Sequence, residues 1–246
     1  MTDPATFSRA PNPVRPTATF SLHAAVALSA LLVFNYFIAV KVPIAVQGIE
    51  SSYLIFFYHF PSAFLMFLFF TGVCVCSIAY LVTGRESWDR HARVAGEIGL
   101  LGCTITVVTG SIWASMAWNI WWDFKDKRLM FAAIMWLTYA GYVVLQTQMQ
   151  PGEQRRRYAA VFGILAFINV PLVKYAIAWF GQVSHPLQFQ DMSSDPWIRG
   201  TRWFGVVAFL ILYTLIYRWR HSKELTRNQF DALLSDMRRI EEGAAS

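Results

Sequence analysis

Residues 113–129 read Trp113-Ala-Ser-Met-Ala-Trp118-Asn-Ile-Trp121-Trp122-Asp-Phe-Lys125-Asp126-Lys127-Arg128-Leu129. They separate two hydrophobic runs, roughly 94–112 and 130–145, each long enough to cross a bilayer. The stretch holds four of the ten tryptophans of the chain. Trp118, Trp121 and Trp122 fall at helical spacing i, i+3, i+4, which predicts a short helix with three indoles on one face and Lys125, Lys127 and Arg128 just beyond. Two readings follow. Tryptophans settle at membrane interfaces as an aromatic belt; a belt spreads over several helix ends, whereas this cluster suits a flat, apolar, partly anionic ligand, of which haem is one.

Working outward, composition sets the class. With 56% hydrophobic residues, 15% charged residues and a mean hydropathy of +0.39, the chain is an integral membrane protein. Its 246 residues have room for about six spanning helices and hardly for a separate soluble domain. The net charge of +6 comes from basic residues in short segments flanking apolar runs, which points to the lipid bilayer rather than to nucleic acid. Cys74, Cys76 and Cys103 lie inside apolar runs without Cys-x-x-Cys spacing, so neither a disulfide nor thiol chemistry is expected.

The expected fold is all-α, a polytopic six-transmembrane-helix bundle with a short tryptophan-rich outer helix. Spans are expected near 20–40, 52–81, 94–112, 130–145, 158–180 and 203–217. Residues 1–19, rich in proline, read as a disordered cytoplasmic tail, residues 20–220 as the membrane domain holding the tryptophan-rich segment 113–128, and residues 221–246 as an amphipathic cytoplasmic tail. Pro61 should remove a backbone donor and disturb the turn carrying His59. A polar loop is expected from Thr83 to Arg93, and Pro171 and Lys174 fall within the fifth span. Six spans put both termini on one side. That side collects fourteen of the 21 Lys and Arg residues, so the positive-inside rule makes it cytoplasmic and turns the tryptophans outward.

The same topology sorts the histidines. His23, His91 and His221 fall at the cytoplasmic side; His59 and His185 fall outside with the tryptophans. Haem iron takes axial imidazoles, and two histidines from different outer segments could approach it from opposite faces. A lone histidine within a bundle is also commonly a hydrogen-bonded structural residue. His185 precedes Pro186, which biases it to an extended loop conformation that can move.

The order Tyr58-His59-Phe60-Pro61, Thr109-Gly110-Ser111-Ile112-Trp113, Trp118-Asn119-Ile120-Trp121-Trp122, Ile168-Asn169-Val170-Pro171, then Trp179 and His185, resembles the haem-handling protein C (CcmC) family of cytochrome c maturation, with its tryptophan-rich WWD domain. The resemblance implies that His59 and His185 ligate the iron of a transiently bound haem b, and that Trp113, Trp118, Trp121 and Trp122 face the ring. It implies a place in the bacterial cytoplasmic (inner) membrane, delivery of haem to a membrane-anchored haem chaperone, work beside an ABC transporter complex, and no catalysis by the chain itself. The chain departs from the family pattern after Trp122, where Asp126-Lys127-Arg128-Leu129 recovers an Asp-x-Arg-Leu ending with one residue inserted. Asp126 and Arg128 keep the family's positions, and Lys125, Lys127 and Arg128 are candidates for the two haem carboxylates. The alternative is a bis-histidine cytochrome b-like membrane oxidoreductase subunit, which needs histidine pairs within the helices.

Overall fold

The computed structural model describes residues 22–41, 52–180 and 195–245, and among these residues every regular element is helical. In chain order they are α1 (Leu22–Lys41), a 3-10 turn (Ser52–Ile55) leading into α2 (Phe56–Thr83), α3 (Glu86–Trp118), α4 (Lys127–Gln148), α5 (Glu153–Ala166), α6 (Asn169–Phe180) and α7 (Pro196–Ala245). Five segments are long and apolar enough to cross a membrane: Tyr53–Thr83, Glu86–Met116, Lys127–Gln148, Glu153–Ala176 and Pro196–Arg227. The first expected span coincides with α1, whose apolar helix over Ser29–Lys41 is shorter than the other five. The expected tail 1–19 lies outside the described residues.

Three local outcomes differ from the expectations, each for a backbone reason. The polar loop expected between Thr83 and Arg93 shrinks to Gly84 and Arg85. Gly84 stops α2 in the left-handed conformation (φ 67°) and donates its N–H to the Tyr80 carbonyl at 2.8 Å. Glu86 and Asp89 then open α3 with acidic side chains in the first turn, where the helix dipole favours them. The fifth span breaks into α5 and α6 because Pro171 cannot donate to Phe167, and Phe167, Ile168 and Val170 close tighter i to i−3 bonds of 3.0–3.2 Å instead. The sixth span and the amphipathic tail form one helix, α7, since residues 206–242 contain neither glycine nor proline to stop it.

Helices α2 and α3 share the most extensive interface and form the centre of the bundle. Their core joins Met66, Phe70 and Val73 to Ala95 and Cys103, and to Met135, Tyr139 and Tyr142 of α4. Small residues on α3 let bulky ones touch its backbone: a methyl on Gly99 would meet the Phe70 ring at 2.6 Å, and one on Gly96 would meet Tyr142 at 2.6 Å. Pro61 is buried within α2, and α7 closes on it through Gly205, whose Cβ would lie 3.1 Å from both the Pro61 ring and the Phe57 carbonyl oxygen.

Charged pairs hold the opposite end of the bundle from His59. Asp89 of α3 accepts from Arg155 of α5 at 2.7 Å, both buried, and Arg155 also bonds Gln146 of α4. Removing one partner strands the other charge, so Asp89→Asn or Arg155→Gln should each lower stability by about 3–5 kcal/mol. Glu153→Gln, which breaks the exposed Arg157–Glu153 pair, should cost less than about 1 kcal/mol. Thermal unfolding of the three variants in one detergent checks the contrast.

Candidate functional site

His59 sits in the first turn of α2, and its ring faces α3. Its Nδ1 lies 3.1 Å from the Thr109 hydroxyl oxygen, which in turn lies 2.6 Å from the Ile105 carbonyl oxygen one turn earlier on α3. A threonine hydroxyl has one proton, and the carbonyl can only accept, so that proton goes to Ile105. The hydroxyl oxygen therefore accepts from the imidazole. This hydrogen bond matches the Nδ1–H tautomer of His59, the form in which a neighbour orients a metal-ligating histidine.

The adjacent residue makes the seat possible. A methyl on Gly110 would approach the His59 Cε1 to 3.0 Å and Nδ1 to 3.5 Å, so the imidazole lies against bare backbone. One turn further along α3, buried Trp113 places its ring 6.3 Å from the imidazole at 56°. One face of α3 thus supplies a hydrogen bond, a clearance and an indole wall.

His59, Gly110 and Trp113 line a cavity of about 80 Å³, completed by Trp122, Arg128 and Leu129 from the segment between α3 and α4 and the start of α4. That volume takes the edge of a porphyrin rather than the whole ring. Trp121 and Phe124, 66% and 75% exposed, add apolar surface in the same loop. An apolar slot with one imidazole and one cation fits the chemistry of haem, whose ring is flat and apolar, whose iron takes nitrogen and whose propionates are anionic.

The tryptophan cluster is built differently from the expected short helix. Helix α3 ends at Trp118, because Asn119 adopts the left-handed conformation (φ 57°) and donates its N–H to the Ser115 carbonyl at 3.1 Å. Trp121 and Trp122 lie beyond that stop and share no helix face with Trp118. The loop folds instead on two aspartates: Asp123 accepts from the Lys125 N–H at 2.8 Å, and Asp126 caps α4 by accepting from the N–H groups of Arg128 at 2.8 Å and Leu129 at 3.3 Å. Asp126 is buried and acts as a helix cap, which points Arg128 and Leu129 into the cavity wall.

Of the expected site residues, the structure brings together His59, Trp113, Trp122 and Arg128 at the cavity. Lys125 and Lys127 are exposed and do not line it. The Trp118 side chain and His185 lie outside the described residues. Thr109 and Gly110 belong to the Thr109-to-Trp113 motif, and the sequence signal for their role is their position about one helical turn before Trp113. At the other end, His91 and His221 stack 4.6 Å apart with planes 7° off parallel, and His91 bonds the Tyr217 hydroxyl. Stacked rings cannot clasp one iron from opposite faces, so these two supply no axial pair.

The family model for heme exporter protein C, CcmC, matches residues 1–235. Heme exporter protein C of Bradyrhizobium diazoefficiens is 26% identical over 182 residues, covering 73% of this chain and 69% of that protein. The Escherichia coli K12 protein of the same name is 24% identical over 162 residues, 66% of each chain, and that of Rhodobacter capsulatus is 23% identical over 206 residues, 82% of this chain and 83% of the other. A match across nearly the whole chain, on an all-helical membrane bundle, means that this protein belongs to the haem exporter protein C family, the membrane-embedded haem-handling components of cytochrome c maturation.

Proposed function

We propose that this chain binds haem b transiently at the outer, periplasmic face of the bacterial cytoplasmic membrane and delivers it to a membrane-anchored haem chaperone. The observation that carries the proposal is the seat of His59: its ring is oriented by Thr109, cleared by Gly110 and set in the wall of a cavity shared with Trp113, Trp122 and Arg128. His59 binds the iron through Nε2. His185 is the second axial ligand, and its bond breaks first on delivery, because it precedes Pro186 in a segment biased away from helix. Trp113 and Trp122 wall the ring, while Trp118 and Trp121 extend the aromatic surface that receives it.

Arg128 meets one propionate from within the cavity wall, a charge-assisted bond worth about 1.5–3 kcal/mol. Lys125 and Lys127 act from solvent, as a loose positive field over the other propionate. The charge count that places the termini in the cytoplasm supports the outward placement of this site. An ABC transporter complex of the maturation system is the expected membrane partner. The chain makes and breaks no bond in haem, and its work is to hold, orient and release.

Replacing both His59 and His185 by Ala should abolish haem retention in protein purified from haem-sufficient cells; an unchanged haem content and absorption spectrum sinks the proposal. Thr109→Val, which keeps the shape and removes the acceptor for Nδ1, should weaken haem binding by about 10–100-fold, and Thr109→Ser should restore it. A titration of apoprotein with haem, followed by absorbance, reads both.

The cations give a sharper contrast. Arg128→Gln should lower haem affinity by roughly tenfold to a hundredfold, while Lys125→Gln with Lys127→Gln should lower it less than about threefold at physiological salt. The same titration at two ionic strengths decides it, since equal losses would place both propionates outside the cavity.

A further inference from the structure

A second cavity lies at the end of α2 remote from His59, where α3, α5 and α7 meet beside the turn between α4 and α5, and its volume is about 500 Å³. Six arginines and four carboxylates line it. Every carboxylate is already engaged: Glu224 by Arg93 at 2.5 Å, Asp89 by Arg155 at 2.7 Å, Glu86 by Arg156 at 2.9 Å, and Glu97 by Arg220 through both oxygens at 2.6 Å. Arg90 has no carboxylate partner among the described residues.

Four donors around this space also lack acceptors. The Nε atoms of Arg90, Arg93, Arg155 and Arg156 are each buried without a hydrogen-bond partner. Buried guanidinium edges left unmet are costly, and with Arg90 lacking a carboxylate beside four paired arginines the cluster can take an added anion. A neighbouring cavity of about 650 Å³ shares Arg156 and is lined by Tyr80, Leu81, Arg157 and Val161. Leu81 and Val161 are exposed on the membrane-spanning segments α2 and α5, so this space runs from charge to apolar surface.

We infer that the pair of cavities binds an anionic phospholipid, its phosphate held among Arg90, Arg93, Arg155 and Arg156 and its acyl chains laid against Leu81 and Val161. A phosphate diester presents two unbridged oxygens to guanidinium donors, and basic pockets between spanning helices at the membrane surface take such headgroups. Free phosphate presents the same acceptor oxygens and has no use for the apolar groove. The site is independent of His59 and of haem.

The test uses the full chain in nanodiscs of equal parts phosphatidylcholine and phosphatidylglycerol, with lipids that survive release of the protein counted by native mass spectrometry. Wild type should retain phosphatidylglycerol over phosphatidylcholine, and Arg90→Gln, which disturbs none of the four ion pairs, should cut that retention by about tenfold. Arg90→Lys, which keeps the charge and loses Nε, should fall between them and serves if Arg90→Gln does not fold. Haem content, measured on the same samples, should stay unchanged. Equal retention of the two lipids, or retention indifferent to Arg90, overturns the inference. So does calorimetric binding of inorganic phosphate alone with the same dependence on Arg90 and no retained lipid.

Discussion

The hydrogen bond between His59 and Thr109 spans the two central helices at one end of their shared interface, and the candidate site depends on the register it records. Gly110 beside the threonine gives the ring room, since a Cβ there would press to 3.0 Å from the imidazole. Bare backbone at Gly110 admits an imidazole as bare backbone at Gly99 admits the Phe70 ring and at Gly96 the Tyr142 ring. One packing device serves both core and site. At the far end the Asp89–Arg155 pair clamps α3 to α5, so the long α3 helix is fixed at both ends and cannot slide without losing one contact or the other.

The two ends of the bundle are chemically unlike. The His59 end combines indoles, one oriented imidazole and a single cavity-lining arginine, a surface that suits a flat amphipathic molecule. The other end is a lattice of arginines and carboxylates drawn from α3, α5 and α7. In one chain this gives an apolar edge at one end of the bundle and a charged base at the other. The long α7 helix joins the two, passing Pro61 at Gly205 and ending in contacts from Arg220 and Glu224 to α3.

Much of this was legible in the residues, and the rest was hidden for identifiable reasons. Apolar runs of bilayer length mark spans directly, since lipid demands them, and α2, α4 and α7 begin and continue where those runs lie. The break after Ala166 follows from Pro171, but its place depends on which carbonyl loses its partner, and no periodicity reveals that. The helix through Trp121 and Trp122 was a false inference from spacing: side chains at i, i+3, i+4 suit a helix, yet Asn119 in the left-handed conformation ends it first. His59, Trp113, Trp122 and Arg128 were visible as residue types on one side of the membrane. That Asp126 caps α4, and that Thr109 and Gly110 make the histidine seat, required the packing of α2 on α3.

The central claim is that His59 meets haem iron through the nitrogen that Thr109 leaves basic. Low-temperature magnetic circular dichroism in the near infrared, on ferric haem-loaded protein, reads the axial ligands directly. Wild type should show the signature of two imidazoles, and His59→Ala should lose it even where some haem is retained on the tryptophans. A wild-type spectrum without imidazole ligation, or one identical in His59→Ala, would contradict the account.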